Sequence, residues 1–189
     1  MNTNPIHTQL LDVAQALVQT RGFNAMSFRD LADAVGIKTA SIHYYFPTKE
    51  DLGLALLARY RSAFKGALTI IDAQTDEPKT KIKKCVDLFI ATVRSDKICL
   101  VGMFATDFIT ISDSMQSEVK QFYTENETWL ATVCKQGRDL GMFSFIGSPK
   151  NKAETIFATL EGALIAARLF KNEERLQSAG EWVLAALSK

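Results

Sequence analysis

The chain has 189 residues, of which 47% are hydrophobic and 23% are charged, and its formal net charge is +1. This length allows one domain or a small module fused to a larger one, and the apolar content can form a sizeable core, which excludes disorder over most of the chain. Ten Gly and four Pro are too few for an all-β protein, which needs a turn about every 8 to 12 residues. The composition therefore favours long helices.

Charge and cysteine usage exclude several classes of protein. A balance of 22 basic and 21 acidic residues indicates no polyanionic partner, so nucleic-acid binding must be argued from local geometry. The chain has an odd number of widely spaced cysteines, Cys85, Cys99 and Cys134. This pattern argues against a disulfide framework or a cysteine zinc site. The N-terminus lacks a basic region followed by an apolar run, and Asp107 interrupts the longest apolar stretch, 98–111. We predict a cytoplasmic protein with no membrane span, metal or cofactor.

The first four helices are marked by their end signals. Helix 1 has Thr3 or Asn4 as its cap and Gly22 as its stop. Helix 2 begins at the capping box 27–30 and stops at Gly36. Helix 3 covers 39–46 and is ended by Pro47, and Thr48 caps a long helix 4 that reaches about Ile71. Two short helices thus flank a tight glycine turn.

Apolar residues at helical spacing continue through the rest of the chain. They predict helix 5 around 82–93, helix 6 over 99–111 with its capped start at 95–98, and helix 7 from about 119 to Gly137 or Gly141. After Pro149 follow helix 8, around 153–167, and helix 9, around 176–187. The fold class is therefore all-α, with about nine helices.

A helix, a short glycine turn and a second helix form the helix-turn-helix arrangement, in which the second helix enters the DNA major groove. Gly36 permits the turn, and apolar residues such as Val35 and Ile42 lock the two helices together. The outward side chains have hydroxyl, imidazole or cationic groups that suit bases and phosphates. We predict that the DNA-binding residues are Ser27, Arg29, Lys38, Thr39, Ser41, His43, Tyr44 and Lys49.

The run from Ser27 to Leu52, SFRDLADAVGIKTASIHYYFPTKEDL, resembles the DNA-binding signature of the tetracycline-repressor (TetR) family, and the resemblance covers about 45 N-terminal residues. It implies a homodimeric, ligand-responsive transcription factor, usually a repressor. His43 stands where the family most often has tyrosine, which leaves the phosphate contact to His43 or Tyr44. The implied domains are 1–47 for DNA binding and 48–189 for ligand binding and dimerisation, connected by helix 4 at about 48–71.

Helices 5 to 7 hold aromatic and sulfur-containing residues that either pack a core or line a ligand cavity. Asp107 stands alone in an apolar run, so its carboxylate needs a partner, which is either a protein donor or a ligand. A position on the solvent-facing edge of helix 6 is the competing explanation for it. The predicted ligand-binding residues are Phe89, Cys99, Met103, Phe104, Asp107, Phe108, Phe122 and Trp129.

Helix 8 has small residues at four-residue spacing, Ala158, Gly162 and Ala166, which serve either internal packing or close approach of another helix. Helices 8 and 9 are the dimerisation elements that the resemblance implies. A two-fold dimer with two reading helices suits a palindromic operator. We therefore predict a repressor that a small, partly apolar molecule releases from such an operator.

The sequence leaves three alternatives to this function. Cys99, at the expected start of helix 6 and beside Lys97, is either a reactive thiol that senses electrophiles or a small buried hydrophobe. A helical protein-interaction module that does not bind DNA is the alternative from another class. An enzyme is not predicted, because the chain has only His7 and His43 and contains neither a phosphate-binding glycine loop nor an H-E-x-x-H motif.

Overall fold

The computed structural model describes residues 5–188 and confirms the all-α class, with nine helices in that range. The helices are α1 (Pro5–Arg21), α2 (Phe28–Val35), α3 (Thr39–Tyr45), α4 (Lys49–Gln74), α5 (Pro78–Arg94), α6 (Leu100–Thr106), α7 (Asp113–Asp139), α8 (Pro149–Leu169) and α9 (Glu174–Ala185). The predicted cap of helix 1 by Thr3 or Asn4 lies outside the described residues.

The helices group into two compact units. Unit 1 contains the described residues up to 62 together with Leu100–Gln121, and unit 2 contains Ala63–Cys99 together with 122–188. The long helices α4 and α7 each contribute residues to both units. The functional division at residues 47 and 48 stays a prediction.

Local signals define the helix-turn-helix in unit 1. The Ser27 hydroxyl accepts a hydrogen bond from the Asp30 amide, and the Asp30 carboxylate accepts one from the Ser27 amide, which completes the predicted capping box. Gly36 ends α2 in the left-handed region, with φ of 78°, where a side chain would be strained. Helix α3 ends at Tyr45, before Phe46 and Pro47.

The core of unit 1 forms where these short helices meet α1 and α4. Helices this short are unstable alone, so their buried faces against longer helices stabilise them. The fully buried side chains include Leu10, Ala14 and Val18 of α1, Leu31 of α2, Ile42 of α3, and Leu52 and Leu56 of α4.

The predicted start and end of helix 6 were wrong. Ser95 is the C-terminal cap of α5 and Asp96 has φ of 54°, so this pair ends α5 instead of starting the next helix. Helix α6 begins only at Leu100 and ends at Thr106. The hydroxyl groups of Thr106 and Thr110 donate to the carbonyls three residues earlier, and such local bonds compete with helix continuation.

Unit 2 is a bundle in which α9 packs closely against α5 and α8. Gly180 allows the approach to α5, because a Cβ atom there would lie 2.5 Å from Val86 Cγ1. The interior also contains a cluster of edge-to-face rings from α4, α5, α7 and α8, which we call the aromatic cluster: Phe64, Phe89, Phe122, Tyr123 and Phe157.

Candidate nucleic-acid interface and ligand-binding residues

Helix α3 has one buried and one exposed face. Ile42 and the capping residue Phe46 are buried against the rest of unit 1. Ser41, His43 and Tyr44 are exposed, and Tyr44 is the most open of them, with 83% of its surface accessible. Helix α3 therefore presents hydroxyl and imidazole groups to solvent, as a major-groove reading helix does.

The predicted DNA-binding residues that flank the exposed face of α3 differ in exposure and in the hydrogen bonds that they already make. Arg29 and Lys38 are exposed, and Thr39 is half-buried at the first position of α3. The Ser27 hydroxyl is already engaged in the capping box with Asp30, so a phosphate contact at Ser27 would compete with that bond. The structure thus brings seven of the eight predicted DNA-binding residues to solvent-accessible positions around α2 and α3, and Lys49 differs from them.

His43 is held by a ring of α2 and by the turn that follows α3. Its ring packs edge-on against Phe28, with centroids 4.9 Å apart, and its Nδ1 lies 3.1 Å from the Pro47 carbonyl oxygen. A carbonyl only accepts, so Nδ1 is the donor in this bond. A neutral His43 therefore offers Nε2 as an acceptor, which suits a base amino group, whereas a phosphate contact needs the imidazolium form.

Lys49, at the start of α4, is directed toward protein groups. Its ammonium donates to the Asn24 carbonyl at 3.3 Å and lies 4.7 Å from the centroid of the Phe23 ring. Burial lowers the pKa of Lys49, and the negative charges of Asp107 and Asp30 act in the opposite direction. The phosphate contact predicted for Lys49 stays a prediction, and it would require the side chain to leave this position.

Asp107 has a protein donor, one of the two partners that the sequence allowed. Its carboxylate accepts a hydrogen bond from the backbone amide of Asn24 at 3.0 Å, and the Asn24 side chain donates to the Thr110 hydroxyl at 2.7 Å. Since Lys49 donates to the carbonyl of the same Asn24, one residue joins the turn after α6 to the loop before α2 and to the start of α4. We call Asn24, Lys49, Asp107 and Thr110 the Asn24 network.

The predicted ligand-binding residues divide between the two units. Unit 1 holds Met103, Phe104, Asp107 and Phe108, of which Phe104 is fully buried with its ring centroid 4.6 Å from that of Phe23. Lys120 lies 5.2 Å from the centroid of the half-buried Phe108 ring. Phe104 therefore packs in the core of unit 1, which is the alternative that the sequence left open.

Unit 2 holds Phe89, Cys99, Phe122 and Trp129. Phe89 and Phe122 belong to the aromatic cluster and are buried. The Trp129 indole donates to Asp72 at 2.9 Å, and Asp72 also pairs with Lys81 at 2.7 Å. Trp129 thus links α7 to α4 and α5 through one carboxylate.

Sequence reasoning missed two polar residues in the interior of unit 2. Glu161 on α8 is 7% exposed, and Tyr123 on α7 is half-buried in the aromatic cluster. A signal for Glu161 was present, because it is the single charged residue in the mostly apolar run 155–167. Its spacing matched the buried face of α8, where a carboxylate needs a partner.

A groove of about 600 Å³ lies between α7 and the start of α8, but it contains none of the predicted ligand-binding residues. Within residues 5–188 there is no group of His, Cys, Asp and Glu side chains arranged to hold a metal ion. No helix in the same range is long and apolar enough to cross a membrane.

Known proteins resemble this chain both in the helix-turn-helix region and over its full length. The family described as "Bacterial regulatory proteins, tetR family" matches residues 10–56. A TetR transcriptional regulator from Legionella pneumophila of known structure is 36% identical, with a TM-score of 0.90 and full coverage of both chains. A TetR-family regulator from Agrobacterium tumefaciens has a TM-score of 0.94 at 23% identity, over 98% of this chain and 100% of that one, which is a likeness of fold.

Among characterised relatives is the HTH-type transcriptional repressor NemR of Escherichia coli K12. It is 24% identical over 177 residues, which cover 90% of this chain and 87% of that protein. The similarity therefore extends well beyond the helix-turn-helix.

Proposed function

The chain belongs to the TetR family of transcriptional regulators, and from that premise we propose that it is a homodimeric repressor, released from a palindromic operator by a small molecule. DNA binding follows from the family and from the helix-turn-helix in unit 1. The proteins that it resembles include transcriptional repressors, which supports repression as its mode of regulation. A protein of this kind acts in the cytoplasm, where the operator DNA is found.

The exposed face of α3 is the observation that carries the proposal. Ser41, His43 and Tyr44 are exposed opposite the buried Ile42, and 83% of the surface of the large aromatic Tyr44 is left accessible to a partner. Thr39 and Ser41 supply hydroxyl groups for base edges, and Tyr44 supplies a phenol that donates to phosphate. We assign base reading to the first two and backbone positioning to Tyr44, Arg29 and Lys38.

An apolar stripe on α8 supports the homodimer. Ala158, Gly162, Ile165 and Leu169 follow at spacings of four, three and four residues, so they share one face, and all four are exposed. Trp182 of α9 is also exposed. Small residues allow close approach of a second helix and the large ones supply buried area, so a second copy of the chain that covers α8 and α9 removes this surface from water.

The route from ligand to DNA is proposed to involve α4 and the Asn24 network. Helix α4 has residues in both units, and the network ties the turn after α6 to the loop before α2. A ligand shifts the equilibrium only as far as it binds one conformation better than the other. A change in the turn that contains Asp107 would therefore be felt at α2, which precedes the reading helix.

A thiol sensor at Cys99 finds less support. Cys99 is 3% exposed and its thiol donates to the Glu161 carboxyl group. A reactive cysteine is a partly exposed thiolate in an electropositive setting, and Cys99 meets neither condition. We therefore favour a reversible ligand as the inducer.

Selection of bound DNA from a random pool tests the proposal most directly. We expect a palindromic sequence that the purified dimer binds with an affinity that falls steeply with salt, because phosphate contacts release counterions. Thr39→Ala and Ser41→Ala should change the recovered sequence, whereas Tyr44→Phe should weaken binding to all sequences alike. Thr132→Ala on α7 is the matched control. A failure to enrich any sequence from the pool would refute DNA recognition by this protein.

A further inference from the structure

Three side chains from separate segments form a polar group inside unit 2. Cys99 precedes α6, Tyr123 is on α7 and Glu161 is on α8. The Cys99 thiol donates to the Glu161 carboxyl group, and Tyr123 lies close enough to both for their ionised forms to raise the pKa of its phenol. We call these three residues the Glu161 cluster.

Half of the Glu161 carboxyl group is left without a partner. Glu161 is buried, and its Oε1 atom is accessible to neither solvent nor any hydrogen-bond donor of the described residues. A buried acceptor in this state loses its hydration without compensation, so it destabilises the fold. An aliphatic side chain of similar size would pack there at no such cost. The position thus retains an acceptor that the protein itself does not satisfy.

Burial also changes the ionisation of the cluster. It raises the pKa of Glu161 to about 7, and the hydrogen bond from Cys99 acts in the opposite direction. The pKa of Tyr123 is raised as well, first by burial and then by Glu161, Cys99 and Glu127 in their ionised forms. Tyr123 therefore remains a neutral phenol, and Glu161 is the group of the cluster whose charge a ligand can alter.

Aromatic rings lie on the side of the bundle that Glu161 faces, because Tyr123 interacts electrostatically with Glu161. Phe157 precedes Glu161 by four residues and so lies on the same face of α8. Its ring centroid is 5.1 Å from that of Tyr123 and 5.9 Å from that of Phe89. Ring faces attract cations, and a low dielectric strengthens the attraction between a cation and a carboxylate. A buried carboxylate next to a cluster of aromatic rings has the chemistry that recognises an organic cation.

We propose that the Glu161 cluster is the polar end of the inducer site and that the inducer is a small aromatic or apolar molecule with a cationic nitrogen donor. The cation would donate to Glu161 Oε1, and the apolar body would lie against the rings. This inference rests on the proposed function, since it names the ligand class of the ligand-responsive part. Binding of a cation favours the carboxylate, so a proton leaves Glu161 where it was protonated.

Benzamidinium tests the inference, with benzamide as the uncharged isostere and benzoate as the anion. We expect calorimetry on the full-length dimer to show benzamidinium bound roughly ten- to hundredfold more tightly than benzamide, the range of one charge-assisted hydrogen bond, and benzoate bound most weakly. Glu161→Gln should remove the preference, and Glu161→Asp, which keeps the charge, should retain part of it. Glu154→Gln, on the same helix about two turns earlier, should keep the full preference.

The pH dependence of the affinity for benzamidinium distinguishes a direct contact with Glu161 from a purely structural role of this residue. Benzamidinium stays charged from pH 6 to 8, so its affinity for the wild type should rise over this range as Glu161 ionises more readily, and it should stay flat in Glu161→Gln. Among the described residues, the titratable groups that interact with Glu161 are Cys99 and Tyr123, which therefore require the parallel variants Cys99→Ala and Tyr123→Phe. Both should keep the rise in affinity.

Several outcomes would overturn the inference. These are equal affinity for benzamidinium and benzamide, the same preference in Glu161→Gln, or no binding of benzamidinium at concentrations up to about 10 mM, the weak limit for fragments. Operator binding of the wild type is measured in the same buffer without any probe. Intact operator binding with no preference for the cation rejects the inference alone, whereas absence of operator binding rejects the proposed function.

Discussion

Removing the Asp107 carboxylate should destabilise unit 1 by breaking the Asn24 network. In Asp107→Ala, the backbone amide of Asn24 loses its acceptor, and the ammonium of Lys49 loses a nearby negative charge. The Asn24 side chain keeps its bond to Thr110. Asp107→Asn keeps an acceptor oxygen for the Asn24 amide but removes the charge. The two variants therefore separate the hydrogen bond from the electrostatic attraction.

The magnitude follows from the exposure of the partners. A hydrogen bond to a charged group contributes about 1.5–3 kcal/mol, but Asn24 is exposed, so water replaces part of the lost bond. We expect Asp107→Ala to lower the free energy of unfolding by about 1–2 kcal/mol and Asp107→Asn by roughly half of that. For a chain of this length, such losses lower Tm by about 2–8 °C and 1–4 °C, respectively.

Thermal unfolding and amide hydrogen exchange measure these effects. Exchange at Asn24 should become faster in Asp107→Ala, and a double-mutant cycle with Lys49→Met should give a nonzero coupling energy. Asp76→Asn, which removes an exposed carboxylate from unit 2, is the control. Unchanged exchange at Asn24 together with strictly additive effects of the two mutations would refute the reasoning, because Asp107 would then contribute nothing through the network.

The other predictions concern the turn, the reading helix, the dimer and the buried carboxylate. Gly36→Ala should lower the free energy of unfolding by about 1 kcal/mol in chemical denaturation, because φ is 78° there; an unchanged midpoint would contradict the strained turn. Thr39→Ala should cost roughly 1–3 kcal/mol in operator binding at one base position, and a uniform loss across sequences would reject base reading. Ile165→Glu should give a monomer in analytical ultracentrifugation, and a dimer would move the interface away from this face of α8. The pKa of Glu161 is raised on folding to about 7, so the folded state binds more protons, and stability should fall as pH rises from about 4.5 to 7, by up to roughly 3 kcal/mol. In urea titrations, the stability of Glu161→Gln should not fall over this pH range. If the stability of the variant falls with pH as that of the wild type does, other groups cause the fall.

The predicted ligand-binding residues show where sequence reasoning reached its limit. An aromatic residue at helical spacing faces inward, and that expectation held for Phe89, Phe104 and Phe122, which are all buried. Periodicity does not tell which compact unit receives each residue, and the eight predicted residues divide equally between the two. The same limit hid Glu161, because the isolation of its Oε1 depends on the donors that the other helices present.

The helix-turn-helix was determined by the sequence itself, since its signals act within a few residues. The capping box at Ser27, the left-handed turn at Gly36 and the stop before Pro47 are bonds and steric limits among neighbours in the chain. The partner of Asp107 was decided only by tertiary structure, because Asn24 lies 83 positions away. Local sequence fixes backbone conformation, whereas burial and pairing depend on which distant segments share a volume.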